Sequence, residues 1–269
     1  MVKKHYTTVY ARTNTNTRHG ESLFASPERI ATVRWAAGLG AVTAEALAEH
    51  LGLSVASARA RLGAAERERL LERCSPLTGR PALYTVTRAG LRKADVRDIE
   101  PCKVSPSNAL HLIECARAAA ALERCYPDHR VQGERELRIE ERERGCALAS
   151  AELHGGGRLP ASAVHGNGAL GEAVHHRPDL VLWPVDPNGG LPVAVEVELT
   201  VKAPERLAAI CRAWARARCI AGVLYLAPPE VERAVRRAID RAQARERVVV
   251  VPLETLPARP GERTVPSGA

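Results

Sequence analysis

A chain of 269 residues, 45% hydrophobic and 26% charged, has room for two ordinary domains and the composition of a soluble globular protein; no apolar run approaches the length of a membrane span. Its seven cysteines are scattered, odd in number and without a C-x-x-C pair, which argues against a disulfide framework and for reduced, mostly buried thiols; the same scatter leaves no zinc-ligand spacing, so a structural zinc is not expected. The net charge of +8 is uneven, with 16 Lys and Arg against 10 Asp and Glu in residues 1–100 and 23 against 21 in residues 101–269; a basic surface concentrated in one segment suits a polyanionic partner, nucleic acid before membrane.

Residues 1–25 begin MVKKHYTTVYARTNTNTRHGES, polar and basic but with no apolar core or small-residue cleavage site. They read as a flexible basic arm on a cytoplasmic protein and not as a secretory signal. Ser26 then N-caps a helix with Pro27 at its first position and a stop at Gly40. A second helix spans Thr43 to His50 and closes in LGLS, and Ser54 caps a third through VASARARLGAAERERLL. Leu47, Ala48 and Leu51 face inward, Gly52 permits a tight turn, and Leu53, Val55, Ala58 and Leu62 pack the next helix, which is a helix-turn-helix pattern.

The stretch LLERCSPLTGRPALYTVTRAG reads as a strand, a polar tip at Pro76, Thr78, Gly79 and Arg80, and a returning strand through Leu83 to Val86. This order over residues 26–95, with TRAGLRKA opening another helix, resembles the MarR-like winged helix-turn-helix domains. The resemblance implies a recognition helix in the major groove of double-stranded DNA and a wing on phosphate or minor groove. Ser54, Ser57, Arg59 and Arg61 on the third helix are the candidate DNA contacts, with Arg80 at the wing. Two plainer readings stand beside this one: a solvated arginine face in an Arg-rich chain, or a protein–protein module.

Residues 96–108 lose periodicity, gain two prolines and read as a linker. From Ala109 to about Arg124 a helix carries Ala109, Leu112, Ile113, Ala116 and Ala120 on one side, and HRVQGERELRIEERE then reads as a strand. Residues 146–177 show no clear period. HRPDLVLWPV and PVAVEVELTV are apolar runs joined by a DPNGG turn. A helix from Pro204, a strand AGVLYLA, a helix from Pro229 and a strand RVVVVPL follow, an alternation that predicts parallel pairing on a helix-covered sheet. The turns lack G-x-G-x-x-G and G-K-[ST], so no nucleotide cofactor is expected. Residues 255–269 read as a flexible tail.

On a strand, Ala194, Glu196, Glu198 and Thr200 share one face. Asp179 starts the preceding strand, so the turn brings Asp179 and Glu196 together, a pair able to hold Mg²⁺ through oxygen and to polarise a phosphate or activate water. Pro178-Asp179 followed by Glu196 resembles the PD-(D/E)xK nucleases, and residues 109–254 match the element order of that restriction-endonuclease-like α/β core. The resemblance implies a lysine two residues after the acid, but Glu198 stands there; Lys202 has the same parity and could supply the amine. Glu134 is a candidate third carboxylate, with Glu136 at equal parity. The competing reading is an amphipathic strand with one solvated face.

Residues 27–252, through SNALHLIECARAAAALE, GERELR, RPDLVLW and VAVEVELTVKAPERLAAICRAW, resemble the replication-relaxation family of bacterial mobile-element and plasmid proteins. That implies DNA binding linked to replication, mobilisation or regulation of an element; the leading reading is a double-stranded DNA-binding protein whose nuclease-like domain binds DNA or a partner with little or no catalysis. The alternatives are a Mg²⁺-dependent endonuclease using Asp179, Glu196, Glu198, Glu134 and Lys202, and a ligand-responsive regulator without metal. Winged-helix proteins read two-fold sites as dimers, so a homodimer is expected.

Overall fold

The structure, a computed structural model, describes residues 26–143, 162–164, 174–186 and 188–256. The arm at 1–25, most of the 146–177 segment and nearly all of the tail after Thr255 lie outside them. The chain is a mixed α/β protein, and among the described residues no helix is long and apolar enough to cross a membrane.

The first half runs α1 (Pro27–Leu39), β1 (Ala41–Val42), α2 (Ala44–Leu51), α3 (Val55–Arg67), β2 (Leu71–Cys74), β3 (Leu83–Val86) and α4 (Arg88–Lys93). Local chemistry sets each start: the side chains of Ser26, Thr43, Ser54 and Thr87 accept the backbone N–H of Arg29, Ala46, Ser57 and Gly90, each three residues on. Gly52 stops α2 in a left-handed conformation, φ 64°, which costs glycine little. β3 lies between β1 and β2, antiparallel to both. Val33, Ala36, Leu47, Ala48, Ala58 and Leu62 fill the core between the helices.

The second half is built on a five-stranded sheet in the order β10 (Val248–Pro252), β9 (Gly222–Ala227), β8 (Val193–Val197), β7 (Leu180–Pro184), β4 (His129–Gly133). The pairs β8–β9 and β9–β10 are parallel, as the strand–helix alternation predicts, while β7–β8 and β4–β7 are antiparallel. α7 (Pro204–Arg216) and α8 (Pro229–Ala242) cover one face, with Trp214, Val231 and Val235 meeting Ala194, Val223 and Tyr225. α5 (Pro106–Cys125) covers the other, where Cys115, Ala118, Ala119 and Leu122 meet Leu180, Leu182, Val195 and Val197. Two short antiparallel strands, β5 (Ser162–Val164) and β6 (Val174–His176), pair with each other.

The strand expected over HRVQGERELRIEERE is half wrong. It ends at Gly133, and Glu134–Glu143 form helix α6. Ten consecutive residues without a β-branched side chain except Ile139, with acids in the first turn, suit a helix better than a strand.

Candidate functional site

The register of the central hairpin assembles the site. Leu180 pairs with Val195, so Asp179, one residue earlier, sits beside Glu196 at the strand ends. Asp179 Oδ2 accepts the Val197 N–H at 2.8 Å, and Oδ1 lies 3.1 Å from His111 Nε2 on α5. Glu196 Oε1 accepts the Trp214 indole N–H at 3.2 Å and lies 2.8 Å from His176 Nε2. Glu198 pairs with Lys202 and its Oε1 is 3.5 Å from Thr200 Oγ1. Glu196 and Glu198 are each only 5% exposed, so the reading of this strand as amphipathic with one solvated face is wrong: that face is roofed by α7 and by His176.

Burial sets the proton affinities here. It drives the Glu196 carboxyl up to about 7, against the lowering pull of His176. It pulls His176 down, yet the hydrogen bond and charge of Glu196 leave that imidazole raised. The hydrogen bond to Asp179 raises His111 against the opposing effect of burial, and burial pushes the Cys115 thiol well above its ordinary value. A carboxyl and an imidazole in contact, both with raised proton affinity, form a proton-sharing pair of the kind found at functional sites.

The two candidate third carboxylates lie in different surroundings. The Glu134 N–H donates to the Asp179 carbonyl at 3.0 Å, and Glu134, Asp179, Cys115, Leu112 and Arg135 line a cavity of about 190 Å³. Glu136 turns instead toward α1: its Oε2 accepts the Gly133 N–H at 3.2 Å, and its carboxylate lies close to Gly38. Glu134 is itself paired to Arg138 at 2.6 Å.

Mg²⁺ prefers an octahedral shell of oxygens. Both oxygens of Asp179 and Oε1 of Glu196 are already engaged, by His111, Val197, His176 and Trp214. Asp179 and Glu196 would hold that ion, and supply it as a Lewis acid toward phosphate, only by exchanging these bonds for metal ligation. Residues not foreseen from the sequence therefore dominate the site: His111, Cys115, His176 and Trp214 come from three other elements.

The candidate DNA contacts fall into two groups. Ser54, Ser57 and Arg59 are on the exposed face of α3 and Arg80 is exposed at the β2–β3 tip. Arg59, 63% exposed, reaches Glu45 at 3.6 Å. Ser54 Oγ is occupied by capping α3 and by a 2.8 Å contact with Ser57 Oγ. Arg61 is turned back to Glu28 of α1 at 3.2 Å and is only 25% exposed.

Comparison with family models, with curated proteins and with solved structures found no match. The chain's own geometry defines its class: a mixed α/β protein with an exposed basic helix in one half and a buried acid–histidine centre in the other.

Proposed function

We propose that the chain is a double-stranded DNA-binding protein, its first half a winged helix-turn-helix and its second a restriction-endonuclease-like domain, as the resemblance to replication-relaxation proteins implies. The observation that carries this reading is α3: it buries Ala58, Leu62 and Ala65 against its own half and leaves Ser54, Ala56, Ser57, Arg59 and Ala60 exposed. Small side chains flanked by an arginine let a helix enter the major groove, and the sheet order β1–β3–β2 sets a hairpin beside it with Arg80 at the tip.

The test is binding to duplex DNA against salt concentration. Affinity falls steeply with salt, and Arg59→Ala and Arg80→Ala each weaken binding and lower the salt slope by about 1. Arg61→Ala has a smaller effect, because that guanidinium is held by Glu28. Salt-insensitive or absent affinity overturns the proposal.

A second reading, a Mg²⁺-dependent endonuclease, is favoured by one observation. Lys202 reaches back to Glu198, so an amine stands near the position where the nuclease resemblance implies a lysine. Its charge is spent on Glu198, and Glu196 is held by His176 and Trp214, which is why binding is the leading reading. Nicking in Mg²⁺ or Mn²⁺ that vanishes in both Asp179→Ala and Glu196→Ala would reverse the order.

A further inference from the structure

His111 and Cys115 stand one helical turn apart on α5, so their side chains project from the same side of the helix. Asp179 arrives from the loop before β7. Ligand atoms of the three lie within 4.8 Å of one another. His111 Nε2 is 3.1 Å from Asp179 Oδ1 and 3.4 Å from Cys115 Sγ.

The same imidazole nitrogen faces both partners, which sets the cluster apart from a catalytic triad. A Cys–His–Asp triad uses opposite ring nitrogens, one toward the nucleophile and one toward the acid. Without an ion, the one Nε2–H of His111 serves Asp179 Oδ1 and leaves Cys115 Sγ in contact at 3.4 Å. Convergence of N, S and O on a common point is the arrangement of metal ligands. Tetrahedral Zn²⁺, with bonds of about 2.0 Å to N and O and 2.3 Å to S, places N and O about 3.3 Å apart and N and S about 3.5 Å apart. The two contacts of His111 are close to those edges, and the remaining sulfur–oxygen edge, no longer than 4.8 Å, would close to about 3.5 Å around the ion.

We propose that His111, Cys115 and Asp179 bind one Zn²⁺-class ion, with a fourth position open to the cavity lined by Cys115, Asp179 and Glu134. A borderline thiolate–imidazole–carboxylate set selects Zn²⁺ over Mg²⁺. The Val197 N–H on Asp179 Oδ2, at 2.8 Å, fixes the carboxylate so that Oδ1 faces the ion, the support that metal ligands ordinarily receive. On binding, the Cys115 S–H bond breaks, its proton leaves to solvent and the sulfur electron pair forms the bond to the metal; no oxidant or reductant takes part. Three protein ligands and one open position are the arrangement of catalytic zinc, where bound water or a phosphate oxygen occupies the fourth place.

The test is a Co²⁺ titration of the full chain after removal of metal by a chelator. One Co²⁺ binds per chain, with the strong visible bands of tetrahedral cobalt and a near-ultraviolet thiolate-to-cobalt charge-transfer band, and Zn²⁺ bleaches both. Cys115→Ser abolishes the charge-transfer band, and Cys125→Ser, at an exposed thiol, leaves it. His111→Gln, which keeps a polar side chain at a position 41% exposed, weakens Co²⁺ at least about tenfold. No tetrahedral spectrum, a charge-transfer band that survives Cys115→Ser, or affinity unchanged by His111→Gln each overturns the proposal. No DNA enters the experiment, so its outcome and that of the DNA-binding test are independent.

Discussion

Glu196 shows what a single buried carboxyl does to the chain. Its pKa rises to about 7 from an ordinary 4.5, chiefly by burial, so the folded state holds this proton more tightly than the unfolded chain does. The resulting stabilisation is complete below the unfolded value and is lost as pH rises through the folded one. His176 is also raised and therefore acts with the same sign. Stability to urea is expected to fall between about pH 5 and 8, by on the order of 1–3 kcal/mol, and Glu196→Gln to remove much of that slope. A wild-type profile that is flat, or rises with pH, would contradict the assignment, as would an unchanged slope in Glu196→Gln. The sequence made Asp179, Glu196, Glu198 and Lys202 legible because strand parity and a short turn relate them within one hairpin. It did not make legible what binds them. His111 lies 68 residues from Asp179, and Trp214 reaches Glu196 only because α7 folds over the sheet. His111 and Cys115, four residues apart, share one side of a helix, but Asp179 joins them only through tertiary structure, beyond any spacing rule.

At the scale of elements, α5 has the helical form its sequence predicts but more than one buried side. The stripe Ala109, Ile113, Ala116 and Ala120 was legible at helical spacing, but it faces the first half: Ala116 and Ala120 join the core of α1 to α4, and Ala109 and Ile113 meet Ala41 and Leu83. The opposite side, with Cys115, Ala118, Ala119 and Leu122, faces the sheet. Ala118 to Ala121 are all buried, which small side chains permit when a helix is enclosed on both sides. A helix buried on two opposite sides has no single stripe for periodicity to detect. A comparable approach occurs where α1 ends and β4 ends: a Cβ on Gly133 would lie 2.3 Å from the Gly38 carbonyl oxygen. Since that neighbour is backbone and cannot swing aside, Gly133→Ala is expected to destabilise the chain by about 2–3 kcal/mol in chemical denaturation. A loss below the error of the measurement would show that α1 and β4 are less closely joined.

For the whole molecule, the consequence of α5 is mechanical. Residues 96–105 form no helix or strand, yet the helix that follows belongs to both halves. Glu123 on α5 accepts the Trp35 indole N–H at 3.2 Å and lies 2.5 Å from His50 Nδ1 on α2, while Trp35 and His50 stack at 4.2 Å between ring centroids. Arg124 adds a 2.9 Å ion pair to Glu49. Two halves that share one helix through buried apolar contact on both of its sides cannot lose one core without exposing the other, and such a chain unfolds in a single step. In a urea titration followed by hydrogen exchange, peptides from α2 and from β9 should lose protection at the same denaturant concentration. Glu123→Ala removes the bonds to Trp35 and His50 and is expected to lower stability by about 1–3 kcal/mol, moving that common midpoint down without splitting it, since the alanine contacts persist. Two separate midpoints in the unaltered chain would mean that α5 is anchored to one half only. Coincident midpoints carry a further consequence: α3 and the acid–histidine centre are held in fixed relation, so a ligand that engages His111 or Cys115 on α5 and favours the folded state stabilises the half that carries α3 by the same free energy.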